Sequence, residues 1–380
     1  KNCLDQGWVS SAGKSINIFE KEMAKYTGAQ YAVACINGTS ALQISLKLVG
    51  VKRGDEVIVP SMTFIAPVNA IHYNDAKPVF MDNDECYTID INKTIDFLNK
   101  ETRTVVRKTF GKDSPVTINK KTGNKIAALI IVHVFGNAVK LDNLVYLCRK
   151  KNIMLIEDAA ESIGTFYTSG KFKSRHTGTI GKIGCLSFNG NKIMTTGGGG
   201  MILTDNKQIA KRAKYLTTQA KDDPVYSIHN EIGYNFRLTN VQAALGLAQL
   251  ESLSKYIKKK KIIHERYKKK INKIKGLAIS NTPYFARCNY WLNILEIRKY
   301  SSKKKLSKII KYLSKNGIET KPVWHPNHLQ KKYKNCQNYK LKNVNKIYQN
   351  RLCLPSSAQL TKKQQDFVCS KLKNIYFLSQ

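Results

Sequence analysis

The chain has 380 residues, 42% of them apolar, enough to bury a sizeable core and more than one small domain requires. Its 64 Lys and Arg against 26 Asp and Glu give a formal charge of +38, yet only 11 are Arg, the planar fork that phosphate and base recognition favours, so nucleic acid is not the expected ligand. Nine cysteines without C-x-x-C spacing argue for a reducing, cytoplasmic setting and against a zinc site or any other metal centre, and no run approaches the ~20 apolar residues that span a membrane.

From Tyr31 to about Leu203 short apolar runs alternate with helix-like segments, the pattern of an α/β domain with a largely parallel sheet. The strand candidates are Tyr31 to Cys35, Glu56 to Val59, Pro78 to Met81, Ala127 to Val134, Ile153 to Ile156, Gly184 to Phe188 and Met201 to Leu203. Most end in Gly, Asn, Asp or Ser, where loops at the carboxyl edge of a parallel sheet gather ligand groups. The polar stretch Arg107 to Asn124 reads as an exposed insertion. From Leu238 to about Ile274 a long helical periodicity takes over, first small and apolar, then rich in Lys. The runs Lys258 to Lys261, Lys268 to Lys270 and Lys303 to Lys305 suit solvated helix faces. Strand-like Tyr290 to Ile297 and a helix from Lys303 to Lys315 then predict a smaller C-terminal α+β unit. The expected division is a large domain with an N-terminal arm over 1–250 and a small domain over 251–380.

The strongest local signal is Ser187-Phe188-Asn189-Gly190-Asn191-Lys192, followed by Gly197-Gly198-Gly199-Gly200. A lysine after a strand, in a glycine-flanked loop that admits close backbone approach, is suited to form a Schiff base with an aldehyde cofactor. The plain alternative is a surface lysine beside a tight turn. Asp158, in Glu157-Asp158-Ala159-Ala160-Glu161 at the end of an apolar run, can sit under a pyridine nitrogen or can cap a helix. Asn37-Gly38-Thr39-Ser40 before a helical run can be an N-cap, can offer amides and hydroxyls to a phosphate, or both. Phe64 can be core or can stack on a ring, and His328 can be structural or can face a substrate. His133 reads as buried at a strand end. The spacing from Gly178 to Gly184 lacks the preceding strand and following acid of a dinucleotide site.

Taken with Gly7-Trp8-Val9-Ser10-Ser11, Pro60-Ser61-Met62-Thr63-Phe64, Gly233-Tyr234-Asn235-Phe236-Arg237 and Trp324-His325-Pro326-Asn327-His328, these stretches resemble the DegT/StrS family of sugar-nucleotide aminotransferases over nearly the whole chain. The resemblance implies an aspartate-aminotransferase-like fold (fold type I), a mostly parallel seven-stranded sheet flanked by helices, and pyridoxal 5'-phosphate as cofactor. It also implies a homodimer with each site built from both subunits. By position, Lys192 would carry the cofactor and Asp158 would pair with its ring nitrogen. Phe64 would stack on the ring, Gly38, Thr39, Ser40 and Ser187 would hold the phosphate, and Asn235 would reach that phosphate from the other subunit. Glu161 stands near the phenolic oxygen, where many relatives have Gln or His. Trp8, Ser10 and His328 would contact substrate.

The mechanism so implied is a transfer in two halves: L-glutamate leaves its amine on the cofactor as pyridoxamine phosphate, and a keto sugar then takes it. Lys192 moves the proton in each half. The lysine motif with the stretches Gly7 to Lys14 and Trp324 to Gln330 is most similar to enzymes of legionaminic-acid-like and bacillosamine-like pathways. The expected acceptor is carbon 4 of a UDP- or GDP-linked 4-keto-6-deoxy N-acetylhexosamine. A GDP-perosamine-type acceptor is the alternative within the class, and a non-catalytic regulator or nucleic-acid-binding protein on the same fold is the alternative outside it.

Overall fold

The computed structural model describes residues 2–109, 112–223, 225–298 and 302–375. Seven strands build the central sheet: β1 (Tyr31–Cys35), β2 (Glu56–Pro60), β3 (Lys77–Met81), β4 (Ile126–Val132), β5 (Met154–Asp158), β6 (Ile183–Ser187) and β7 (Gly200–Thr204). Their order is β1-β7-β6-β5-β4-β2-β3, all parallel except β7, which runs against both neighbours. The two-residue strand Asn338–Tyr339, from far along the chain, pairs with β3 and extends the sheet to eight.

Every residue of β4 is buried, as a strand covered on both faces must be. Side chains alternate between two cores: Val57, Val59 and Ile130 enter one, Ile58, Leu129 and Ile131 the other. Helices Gly38–Leu48 and Lys207–Thr217 cover the first face, and Ile91–Lys100 and Asp142–Lys150 the second. Crossovers on both faces bring the ends of β1, β2, β5 and β6 to one edge, where β7 begins.

The strand ends differ from the sequence-based expectation in informative ways. The expected strand to Val134 stops at Val132, because a 3-10 turn over Val134–Gly136 follows, with Phe135 in the left-handed region at φ 58. In contrast β5 runs two residues past Ile156 and includes Glu157 and Asp158. The expected insertion is part of a hairpin, Thr102–Thr109 against Lys112–Asn119, with its tip outside the described residues. The strand expected from Tyr290 starts at Asn293, since Tyr290 itself adopts φ 54.

The helix Asn240–Ile271 opens on a capping box, in which Thr239 accepts from the Gln242 amide and the Gln242 side chain reaches back. It packs on the large domain through Ala243 and Leu253, and on the C-terminal unit through Ile263, Tyr267 and Ile271. The division expected at residue 250 falls inside this helix. Beyond it, Leu277–Ile279, Asn293–Ile297, Arg351–Leu354 and Lys321–Pro322 form an antiparallel sheet with helices Lys303–Lys315 and Lys362–Lys373 beside it. One lysine departs from the solvated face expected of its run: Lys260 is 6% exposed, with its ammonium donating to the carbonyls of Trp291 (2.6 Å) and Ser356 (2.5 Å). Among the described residues no helix is long and apolar enough to cross a membrane.

Candidate active site

A cavity of about 240 Å³ opens at the shared strand edge, walled by Gly38 and Thr39 after β1, Asp158 and Glu161 at and after β5, Ser187 at the end of β6, and Lys192. Its floor is the start of helix Gly38–Leu48. Asn37 caps that helix by accepting from the Ser40 amide at 2.7 Å. The first amides of a helix have no intrahelical partner, so those of Gly38 and Thr39 remain available at the cavity wall. Glycine is required at 38: a Cβ there would lie 2.9 Å from the Ser187 Cβ. Gly200 is equally constrained, because its Cβ would meet the Asn37 carbonyl carbon at 2.4 Å. The glycine run therefore brings β7 against the helix start, and that close approach, rather than a turn alone, is its use.

Lys192 lies in the loop after β6, anchored by fully buried Met194 and by the Phe188 carbonyl, which accepts from the Thr196 amide and the Thr195 hydroxyl. Its Nζ stands 3.9 Å from Glu161 Oε1 and 4.2 Å above the centre of the Trp291 ring. Glu161 Oε2 accepts from the Phe135 amide at 2.6 Å. Burial pushes the Glu161 carboxyl up to about 7, with Lys192 and that amide opposing and Asp158 adding to the rise. Burial likewise raises Asp158 above the ordinary carboxylate range, against the Ala160 amide, Lys192 and His133. The Asp158 side chain accepts from the Ala160 amide at 3.0 Å, and turns rather than a helix follow, so Asp158 is not a helix cap.

Glu157, one residue earlier, points to the opposite side of the strand into a cage. It takes the amides of Gly178 (2.9 Å), Ile180 (2.6 Å) and Gly181 (2.5 Å) and the ring nitrogen of buried His133 (2.9 Å). Burial alone would raise its pKa, but His133 and the amides outweigh it and hold the carboxyl below its ordinary value. The glycines from 178 onward thus make a carboxylate cage. His133 accepts the Val139 amide at Nδ1 (3.1 Å), which leaves Nε2–H to donate to Glu157.

The remaining expected site residues are placed as follows. Phe64 is 53% exposed and lines the cavity, its ring centre 5.8 Å from that of Trp324 and steeply inclined to it, so it is not core. Ser40 is buried in the first helical turn and is absent from the wall. His328 Nδ1 lies 2.6 Å from the Ser61 hydroxyl, and burial, with His325, holds the ring below its ordinary pKa. Asn327 beside it donates to the carbonyls of Ser61 and Thr63, stapling loop 324–330 to the loop after β2. Trp8 and Ser10 stand off the cavity, where Asn240 fastens both: its side chain donates to the Trp8 carbonyl and its amide to that of Ser10. Asn235 is exposed and off the wall, and it does not cap the long helix, since Thr239 does.

Sequence reasoning missed Trp291 and Lys260, and it quoted Trp324 without giving it a role. Trp291 is 3% exposed, donates from Nε1 to the Asn191 carbonyl at 2.9 Å, and carries the Lys192 ammonium on its face. Trp324 Nε1 is a buried donor with no partner among the described residues. Unclaimed amides at a helix start, an orphaned indole donor, a buried carboxylate and an exposed aromatic ring around one lysine fit pyridoxal phosphate, with phosphate, pyridine nitrogen, ring face and aldehyde each matched.

A lysine, a buried acid and a helix start gathered at one edge of this sheet are the groups that an enzyme carrying an aldehyde cofactor on a lysine requires. The chain belongs to the DegT/DnrJ/EryC1/StrS aminotransferase family, which matches residues 1–373. Family members depend on pyridoxal phosphate, and the protein is an enzyme of the aminotransferase class. The Bacillus subtilis protein named "Putative pyridoxal phosphate-dependent aminotransferase EpsN" is 33% identical over 97% of this chain and 90% of its own length. GDP-perosamine synthase of Escherichia coli O157:H7 is 34% identical over 98% of this chain and 93% of its own. The crystal structure of a DegT DnrJ EryC1 StrS aminotransferase from Brucella abortus superposes with a TM-score of 0.85 at 25% identity, covering 100% of this chain and 93% of that one.

Proposed function

We propose that the protein moves an amino group from L-glutamate to carbon 4 of a UDP- or GDP-linked 4-keto-6-deoxy N-acetylhexosamine, with pyridoxal phosphate held on Lys192. The observation that carries this reading is the meeting of Lys192, Asp158 and the start of helix Gly38–Leu48 around one cavity. When bound, the cofactor supplies an electron sink and a carbonyl that can accept and release an amine.

The chain's own residues supply the rest. Lys192 would hold the cofactor through Nζ and, when that amine is free, would take and return the substrate proton. Asp158 stays ionised beside a cationic ring nitrogen, which offsets its burial. The Gly38 and Thr39 amides and the Ser187 hydroxyl bind phosphate at the positive end of the helix. Phe64 covers one face of the ring, and Glu161 stands beside the phenolic oxygen. Trp8, Ser10 and His328, none of them on the cavity wall of their own chain, would contact the sugar nucleotide. Asn235 of the partner subunit completes the phosphate site of a cytoplasmic homodimer. In the same stretch of chain Val225, Tyr226 and Ile232 are each 79% exposed, apolar side chains suited to a subunit contact.

The perosamine-type acceptor, without the acetamido group, is the second reading, favoured by relatives from three organisms named GDP-perosamine synthase at 33–34% identity. The test is incubation with L-glutamate and a panel of UDP- and GDP-linked 4-keto-6-deoxy sugars, with and without the 2-acetamido group, scoring amino sugar and 2-oxoglutarate. Turnover of the acetamido sugars supports the first reading and preference for GDP-linked 4-keto-6-deoxymannose the second. A protein inert toward the whole panel contradicts both.

A further inference from the structure

Two residues other than glycine adopt left-handed backbone on either side of Lys192. Phe135, at φ 58, delivers its amide to Glu161. Tyr290, at φ 54, immediately precedes Trp291. Such conformations are strained and persist only where the surroundings over-determine them. Around Trp291 they do. The Asn289 side chain accepts from the Trp291 amide (3.0 Å) and donates to the carbonyls of Glu161 and Ile163 (2.9 Å each). Lys260, buried, holds the Trp291 carbonyl, and the indole N–H holds the Asn191 carbonyl, one residue before Lys192. Every polar group of Trp291 is thus tied, from the acid turn, the long helix and the lysine loop. What the strain presents is the ring face, 4.2 Å below the Lys192 ammonium.

We propose that Trp291 is a positioning residue whose indole face is the seat of the Lys192 ammonium whenever that amine is not joined to the cofactor. The inference rests on the function proposed above and deepens it. Joining forms a C=N bond from Nζ to the aldehyde carbon, releases the aldehyde oxygen as water with two ammonium protons, and leaves one proton on nitrogen. Lys192 Nζ, still carrying one proton, would thereby leave the ring for the cofactor when the aldehyde form is bound. The amine form leaves it there. Asp158 at the end of β5 and Glu161 in the turn after it face the same ammonium, and Lys260 holds the Trp291 carbonyl. All three remain in the variants below.

The experiment measures dissociation constants of pyridoxal phosphate and pyridoxamine phosphate separately, for the wild type, Trp291→Leu and Trp291→Phe, each stripped of cofactor and checked by circular dichroism. Losing the ring removes a contact that competes only with the aldehyde form, so Trp291→Leu raises the preference for pyridoxal over pyridoxamine phosphate about three- to tenfold. Trp291→Phe, with a weaker ring field, shifts it less and in the same sense; should the Leu variant fail to fold, the Phe variant decides. A folded variant with an unchanged ratio, or with both forms weakened equally, makes Trp291 a packing residue and overturns the inference while leaving the function standing. Wild-type protein that binds neither form overturns both.

Discussion

Asp158 and Glu161 lie three residues apart, and burial raises the pKa of both, yet their surroundings assign them different tasks. Asp158 ends a strand, with one carboxylate oxygen engaged by the Ala160 amide. An asparagine keeps that bond but cannot hold a ring nitrogen protonated. Asp158→Asn is expected to lower turnover roughly a hundredfold or more while shifting stability by less than about 1 kcal/mol. A melting curve beside a rate measurement checks this, and preserved turnover would reduce Asp158 to a turn brace. Glu161 titrates from its ordinary 4.5 to about 7 on folding, so between those values the folded form holds a proton that the unfolded form has lost. Its stability contribution is therefore undiminished below 4.5 and falls as pH rises toward 7, by up to about 3 kcal/mol. Relative to Glu161→Gln, the wild type should lose melting temperature from pH 5 to 8; parallel curves would contradict the shift. At this scale the sequence was legible where chemistry is contiguous, as in Asp158 and Lys192. Trp291 and Lys260 were not legible, because their meaning comes from a packing contact made a hundred residues away and from one buried member of a lysine run.

At the scale of elements, hydrophobic runs located all seven central strands, because buried parallel strands must be apolar throughout. Their ends were less legible. The polar residues Glu157 and Asp158 fell just beyond the expected strand, since nothing in the local pattern announces the cage of backbone amides that receives the Glu157 carboxylate. The glycines at 197–200 read as a possible tight turn and those from 178 to 184 as a spacing short of a dinucleotide site, although several are set by close approach of another backbone. Gly38 offers the direct test. In Gly38→Ala the methyl group must push against Ser187 Cβ, 2.9 Å away, and the Leu186 carbonyl, 3.3 Å away. The expected cost is about 1–3 kcal/mol of stability, with pyridoxal phosphate affinity down at least about tenfold as the helix start shifts from the phosphate. Calorimetric melting and cofactor titration read the two effects, and an unchanged affinity would place the phosphate elsewhere.

For the whole molecule, the open issue is what Asn235 and its exposed apolar neighbours meet. If Asn235 serves the neighbouring site, Lys192→Ala and Asn235→Ala are each inactive alone and complement when mixed. Half the dimers are then hybrid and one of their two sites is intact, so activity should approach about a quarter of wild type. Dimers verified as hybrid that show no recovery contradict the shared site. The alternation of apolar runs with helical segments, together with the family resemblance, made the overall architecture legible early, whereas the fastening of the arm by Asn240 and of loop 324–330 by Asn327 could be seen only in three dimensions. Everything proposed for catalysis passes through one amine. The most direct measurement is therefore the absorbance spectrum and turnover of Lys192→Ala beside wild type, at matched pyridoxal phosphate and with folding verified. The wild type should be yellow and active, and the variant should lack the Schiff-base band and any detectable transfer; a variant that retains both would place the chemistry on another residue.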